Sequence, residues 1–479
     1  MNTRMIAHLL GIILLIEAAL LLFPMAVALI CGESPIPYLL TDAILLAVSL
    51  PTVLRKPQNT RIFAKDGFVC VAAAWVLLGA FGALPFVFSG AIPNYISAFF
   101  ETVSGLTTTG ATVLTEIEGL PRGILFWRSF THWIGGMGVL VFMLAILPLA
   151  GGQTMYLMRA EVPGPTKGKL VPKMRRTALI LYGIYVALTV ILIAILLLCR
   201  MPLYDAMVNA FATAGTGGFS VLNDSIAGYH NPAAEWVLAI FMIVFGVNFN
   251  LYYFVLIRRW RDAVKNEELR VFLLLVLATT AVIAVNTWKL YESAEACIRT
   301  AFFQVTTIIS TTGFATADFD LWPELSKALL VMLMLTGSCA GSTAGGLKLS
   351  RVIILIKSTF REIRHVLRPR SVNVVRLDGE AVSDETVRSA TGYLALYVIL
   401  IVLTVLLLSL DGYSLETNLT ATLACINNIG PGLKEVGPTG NFAGYSLFSQ
   451  VLLSLNMLLG RLEIMPVLIL LSPGSWKKH

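Results

Sequence analysis

The chain of 479 residues is 57% hydrophobic and only 13% charged, more apolar surface than a water-soluble core of this size encloses, so the composition calls for the bilayer as solvent. The formal charge of +7 would suit nucleic acid, but its clustering in alternate loops fits membrane topology instead, and no nucleic-acid partner is expected. The six cysteines, Cys31, Cys70, Cys199, Cys297, Cys339 and Cys425, show no CxxC spacing and imply neither a metal site nor a disulfide framework.

In chain order, apolar runs long enough to supply the ~20 helical residues that cross hydrocarbon lie near residues 5–31, 36–54, 67–89, 123–150, 177–199, 233–257, 269–290, 325–357, 389–410 and 441–471. Ten membrane helices are predicted. The first run follows Arg4 and contains Ala26-Val27-Ala28, which looks like a cleavage site, but it is longer than a signal core and is read as a retained span. Basic residues gather at Arg4, from Arg55 to Lys65, from Arg159 to Arg176, from Arg258 to Arg270, from Lys357 to Arg388, and at Lys477 and Lys478. The positive-inside rule assigns these loops and both termini to the cytoplasm.

Four further segments, 92–106, 202–214, 294–310 and 415–428, are too short or too polar to span, yet each sits between two spans on the face opposite the basic loops. Each must enter and leave on one side, and non-helical backbone at membrane depth is tolerated only in protein or along a water-filled path. Anchoring the loops on Gly110, Gly217, Gly313 and Gly430 exposes an internal repeat at intervals of roughly 100 residues. Ala98-Phe99-Phe100-Glu101 in the first repeat matches Ala301-Phe302-Phe303-Gln304 in the third.

Before the glycines stand Thr107-Thr108-Thr109, Ala214-Gly215-Thr216, Ser310-Thr311-Thr312 and Asn427-Asn428-Ile429. A dehydrated cation needs replacement oxygens, which a short extended strand supplies through backbone carbonyls and Thr or Ser hydroxyls. Glycine relaxes the backbone so that the carbonyls can line up, and the preceding short helix directs the negative end of its dipole inward. A single loop of this kind could equally be small-residue packing; four in register argue for an ion filter. The run from Gly337 to Gly346 also interrupts the eighth apolar stretch with small residues, and a local helix break is expected there.

Several motifs now carry a resemblance: TTTGAT at 107–112, HWIGGMG at 132–138, RAEVPGP at 159–165, TGGFS at 216–220, GVNFNLYY at 246–253, STTGFATADF at 310–319, AGSTAGGLK at 340–348 and NNIGPGL at 427–433. In this order they resemble the Trk/Ktr/HKT superfamily of potassium transporters. The helix pair before residue 60 favours the Trk branch. The expected fold is an all-α membrane protein, with an N-terminal helix pair (1–60) and four pseudo-fourfold helix, pore-loop, helix repeats (61–158, 159–262, 263–376 and 377–479) around one pore. The resemblance implies gated, channel-like potassium uptake at the bacterial cytoplasmic membrane, with potassium as the transported ion and no organic cofactor. Glycine at all four filter positions favours potassium, since serine at the first is associated with sodium in this superfamily.

By the same resemblance the filter comprises Thr107, Thr108, Thr109, Gly110, Gly215, Thr216, Gly217, Ser310, Thr311, Thr312, Gly313, Asn427, Asn428, Ile429 and Gly430. Residues 337–346, with Gly337, Gly341, Gly345 and Gly346, would form an intramembrane gate, joined by Lys348 and Arg461. From its position in the last apolar run alone, Arg461 could instead snorkel to the interface. The expected partners are a second copy in a homodimer, a cytosolic nucleotide-binding regulatory subunit of the TrkA type, and membrane lipid against the basic loops 159–176 and 357–376. His132 and His365 lack a second ligand at helical spacing and are read as structural or interfacial. No HExxH, P-loop or nucleophile elbow occurs, so no enzyme is expected. The competing reading is a proton- or sodium-coupled symporter with the same filter, for which Glu101 and Glu463 are the candidate carboxylates.

Overall fold

A computed structural model describes residues 2–55, 57, 59, 64–146, 174–370, 373–462 and 464. Two long helices, α1 (Thr3–Ile30) and α2 (Ile36–Leu54), open the chain and pack as an antiparallel pair. Next come α3 (Ala64–Gly82), the short α4 (Leu84–Phe88), α5 (Tyr95–Leu106) and α6 (Arg122–Ile146). The following stretch contains α7 (Met174–Leu198), α8 (Leu203–Gly215), α9 (Pro232–Gly246), α10 (Phe249–Leu256) and α11 (Trp260–Lys265). Then follow α12 (Glu267–Thr287), α13 (Ala294–Ile309), α14 (Glu324–Thr336) and α15 (Leu349–Leu367). A hairpin of β1 (Arg376–Leu377) and β2 (Glu380–Ala381) precedes α16 (Asp384–Leu408), α17 (Leu415–Ile426) and α18 (Leu447–Arg461).

The four segments too short to span are the short helices α5, α8, α13 and α17. Their starts are written in the sequence: the Asn94, Ser293 and Ser414 side chains each accept a backbone N–H of the first turn, and Pro202 opens α8. Such caps satisfy amides that a helix leaves unpaired. All four are buried over most of their length, including polar Thr102, Asn209, Thr306 and Thr420. Against them lie longer helices whose outer faces are apolar and exposed, as Leu274, Leu277, Val402 and Leu406 are, the arrangement a bilayer solvates.

Among the described residues six helices are long and apolar enough to cross a membrane, or seven if one bent pair is a single span, against the ten predicted. The difference has local causes. The run at 325–357 is cut into α14 and α15, as foreseen. The run at 233–257 is cut too: α9 and α10 meet at 90° across Val247 and Asn248, a break the sequence reading placed only in the later run. The last run yields the fifteen residues of α18, and its continuation beyond Ile464 lies outside the described residues, as does the end of the run at 123–150. Inner and short helices meet through glycine: a Cβ on Gly135 of α6 would stand 1.9 Å from the Leu106 carbonyl oxygen, and one on Gly460 of α18 would stand 1.9 Å from that of Ile426.

Candidate functional site

Each short helix ends the same way. The amides of Thr109, Gly217, Thr312 and Ile429 reach back five residues to the carbonyls of Ser104, Ala212, Thr307 and Ala424 at 2.8 Å. The residue just before each is left-handed: Thr108, Thr216 and Thr311 at φ 57° and Asn428 at φ 54°. Three β-branched residues in that region store about 1–3 kcal/mol of strain each, the kind of cost that collects at functional sites. Two positions later comes a glycine with positive φ: Gly110, Gly218, Gly313 and Gly430.

This register corrects the sequence reading at one position. In the second repeat the equivalent glycine is Gly218, and Gly217 corresponds to Thr109, Thr312 and Ile429. The adjacent glycines of TGGFS had made the two indistinguishable. The segments are also not uniformly extended, because a residue of opposite φ at alternate positions turns neighbouring peptide dipoles the same way instead of to opposite sides.

The four glycines meet their neighbours in cyclic order. A Cβ on Gly110 would stand 1.9 Å from the Gly217 carbonyl oxygen, on Gly218 2.1 Å from Thr312, on Gly313 2.1 Å from Ile429, and on Gly430 2.8 Å from Thr109. A ring closes, each strand laid against the next with no room for a side chain. By contrast, a Cβ on Gly217 would fall into the His132 imidazole, 2.1 Å from Nδ1.

Side chains around the ring hold it in shape. His132 is 0% exposed; its Nδ1 lies 2.9 Å from the Gly105 carbonyl oxygen and its Nε2 3.3 Å from the Phe219 amide. A carbonyl only accepts and an amide only donates, so the proton is on Nδ1 and the ring is neutral. Thr107 donates to the Val103 carbonyl at 2.6 Å, which leaves Thr109 to donate to Thr107 across 2.8 Å, while Asn428 donates to Thr109 at 3.0 Å. Ser310 and Thr312 repeat the hydroxyl pair at 2.7 Å, and Asn427 donates to Tyr397 Oη at 2.7 Å.

A buried ion pair, Arg128 Nε to Glu101 Oε1 at 2.7 Å, sits beside the first two strands. Glu101 also accepts from Thr112 Oγ1 and the Val113 amide, and Arg128 donates to the Ser220 carbonyl with its guanidinium over the Phe219 ring. Arg128 was missed in the sequence, although a charge inside an apolar run was the signal that singled out Arg461.

Between α14 and α15, residues 337–348 leave the helix. The loop and the break after α9 satisfy one another: Cys339 donates to the Gly246 carbonyl at 3.3 Å, Phe249 donates to the Gly341 carbonyl at 3.1 Å, and Ser338 Oγ donates to the Gly246 carbonyl. Two helix interruptions at membrane depth thereby pair the backbone groups that each would strand. The loop touches the ring where the Gly345 amide donates to Thr311 Oγ1 at 2.9 Å, and a Cβ on Gly345 would stand 2.5 Å from the Asn427 carbonyl oxygen.

Arg461 does not snorkel away. Its Nη1 donates to the Thr343 carbonyl at 2.6 Å and its Nη2 to the Gly135 carbonyl at 2.7 Å, bridging loop and α6. Lys348, buried and at φ 67°, donates to the Ala344 carbonyl. Gly337 and Gly346 lie against each other at the neck of the loop. Glu268, near the start of α12, was not anticipated, because acidic residues are common in any first helical turn.

Elsewhere, His365 is exposed near the end of α15, away from the ring. Glu463 and residues 147–173, with most of the 159–176 loop, lie outside the described residues. Among the described residues no cluster of three or more His, Cys, Asp or Glu side chains is placed to hold a metal.

The TrkH family profile, described as a cation transport protein, matches residues 41–478. Over 491 aligned residues the chain is 35% identical to the Trk system potassium uptake protein TrkH of Salmonella typhimurium, with all of both chains covered. It is 34% identical over 487 residues to the Trk system potassium uptake protein TrkG of Escherichia coli, again over the whole of both. The crystal structure of the potassium transporter TrkH from Vibrio parahaemolyticus superimposes with a TM-score of 0.90 at 32% identity, covering both chains completely. A profile match over nearly the whole chain, together with end-to-end relatives sharing a third of their residues, establishes that this multi-pass membrane protein belongs to the TrkH family of cation transporters.

Proposed function

We propose that the chain takes up potassium through the ring of four strands, 107–110, 215–218, 310–313 and 427–430, acting as a selectivity filter. The observation that carries this reading is the cyclic packing of Gly110, Gly218, Gly313 and Gly430, each against the backbone of the next strand. A ring of fixed peptide dipoles replaces the water a potassium ion sheds on entry. The units 61–158, 159–262, 263–376 and 377–479 each supply one strand, and the pair 1–60 flanks the first. The fourth strand, with Asn427, Asn428 and Ile429, makes the symmetry approximate.

The loop 337–348 acts as the gate. Its contacts to Thr311 and Arg461 put a closed segment and a fixed positive charge beside the filter, which raises the barrier to cation leak. Both termini and the basic loops face the cytosol, where a nucleotide-binding subunit of the TrkA type docks on a homodimer and releases the loop. The exposed apolar helix faces contact lipid.

Proton- or sodium-coupled symport is the competing mechanism. Glu101 offers it little, since that carboxylate is engaged by Arg128, Thr112 and Val113.

Expression with the regulatory subunit in cells lacking potassium uptake tests the proposal: growth on limiting potassium and rubidium uptake are expected. Failure of both, with the protein present in the membrane, overturns it.

A further inference from the structure

The loop 337–348 is held at both ends by one atom. Glu268 Oε1 accepts the Ala340 amide at 2.8 Å and the Ser350 amide at 2.9 Å. These two amides flank the stretch 341–349, one before Gly341 and one just inside α15. Glu268 is 4% exposed and comes from α12, a different helix from either arm of the loop. Lys348, between the two amides in sequence, lies within Coulombic reach of the same carboxylate. A buried carboxylate that converges two backbone amides from opposite ends of a non-helical segment fixes that segment's span, and charge-assisted bonds of this kind are the strong ones.

The turn that carries Glu268 is gripped from the exposed side. Asp378, in the turn of the β1–β2 hairpin, accepts the Glu267 amide at 2.6 Å and the Asn266 side-chain amide at 2.9 Å. Lys357 of α15 pairs with Glu267 and donates to the Arg376 carbonyl at 2.8 Å. The hairpin, the first turn of α12 and the loop therefore form one continuous hydrogen-bonded series, and displacing the hairpin moves the residue next to Glu268.

We infer that Glu268 is the positioning residue that clasps the intramembrane loop in its resting place, and that the 376–381 hairpin, through Asp378, holds the turn that carries Glu268. This rests on the gate reading given above. Glu268 acts through the loop, whose two amides it accepts.

The test is rubidium flux per inserted protein in liposomes holding the full-length chain without its regulatory subunit. Variants are Glu268→Ala, Glu268→Gln, Glu268→Met, Asp378→Ala and a deletion of residues 341–344. Losing two charge-assisted bonds that only the resting loop makes is expected to raise the Glu268→Ala flux about a hundredfold. Glu268→Gln, which keeps one carbonyl acceptor, should fall between it and wild type, and Asp378→Ala should also exceed wild type. Stabilisation of the purified protein by potassium over sodium should stay unchanged in all the substitutions, whereas a merely disordered structure would lose it. Should Glu268→Ala not be recovered intact, Glu268→Met, which fills the space with no oxygen to accept either amide, decides, and wild-type flux in it overturns the inference. A deletion that raises flux while Glu268→Ala does not overturns the clasp and spares the gate. A deletion that leaves flux unchanged overturns the gate reading, and the clasp with it.

Discussion

Arg461 and Thr343 stand 118 residues apart in the chain and are joined by a hydrogen bond of 2.6 Å from Nη1 to the carbonyl oxygen. The other arm of the same guanidinium holds Gly135, so one side chain fastens the loop to a helix from the opposite end of the sequence. Arg461→Ala is expected to raise partner-independent rubidium flux by about tenfold, the effect of one charge-assisted bond lost from the closed state. Arg461→Lys should rescue only part, since an ammonium lacks the planar fork that serves both carbonyls. Flux at or below wild type in the alanine variant, with normal insertion, would show that Arg461 does not close the path.

The register of the second strand makes a separate prediction. Gly218, not Gly217, takes the place of Gly110, Gly313 and Gly430, with φ +80° and the Thr312 carbonyl oxygen 2.1 Å from any added Cβ. Gly218→Ala should therefore behave like Gly110→Ala, carrying about 1–3 kcal/mol of backbone strain beyond the steric overlap. In wild type a larger rise in melting temperature is expected with potassium than with sodium, and both variants should lose it. Gly110→Ser and Gly218→Ser are expected to admit more sodium. Differential scanning fluorimetry across the two salts checks this, and retained potassium-specific stabilisation in Gly218→Ala would refute the register.

Much of this site was legible because its parts obey local rules. Four short segments between spans and a small-residue run at 337–346 are signals that backbone chemistry forces into the sequence. The Gly217–Gly218 ambiguity was not resolvable that way, since two adjacent glycines permit the same backbone and only packing against Thr312 or His132 tells them apart. The break at Val247 and Asn248 was hidden for a related reason. No glycine run marks it, and it is stable because Gly246 and Phe249 exchange hydrogen bonds with Cys339 and Gly341, a partnership from a distant part of the chain. His132 read as a lone histidine for want of a metal partner, and its actual partners are two backbone groups.

The Glu101–Arg128 pair bears on coupling. Both side chains are buried, at 0% and 2% exposure, and removing one partner of such a pair costs about 3–5 kcal/mol because the other charge is left stranded. Glu101→Gln should lower the melting temperature markedly, and Glu101→Gln with Arg128→Met should recover part of the loss. With Glu101 engaged by Arg128, Thr112 and Val113, the reversal potential at fixed potassium is expected, on the uncoupled reading proposed above, to stay constant as pH changes. A shift with pH that disappears in Glu101→Gln would establish proton coupling instead.

The fourth strand closes on the first through a directed chain of hydrogen bonds. Asn428 donates to Thr109, Thr109 to Thr107, and Thr107 to the Val103 carbonyl, while the second amide hydrogen of Asn428 reaches the Met457 carbonyl at 3.0 Å. Asparagine enters the left-handed region more readily than the threonine found there in the other three strands, so Asn428→Thr restores sequence symmetry and tests whether symmetry or the amide matters. Threonine has one hydrogen to donate and cannot span both acceptors. The variant should insert and fold, lose the link between the fourth and first strands, and show a potassium-to-sodium permeability ratio about tenfold lower, equivalent to one hydrogen bond at the upper end of the net range. Bi-ionic reversal potentials measure the ratio directly. An unchanged ratio would mean that backbone packing of Gly430 on Thr109 closes the ring without the side chain.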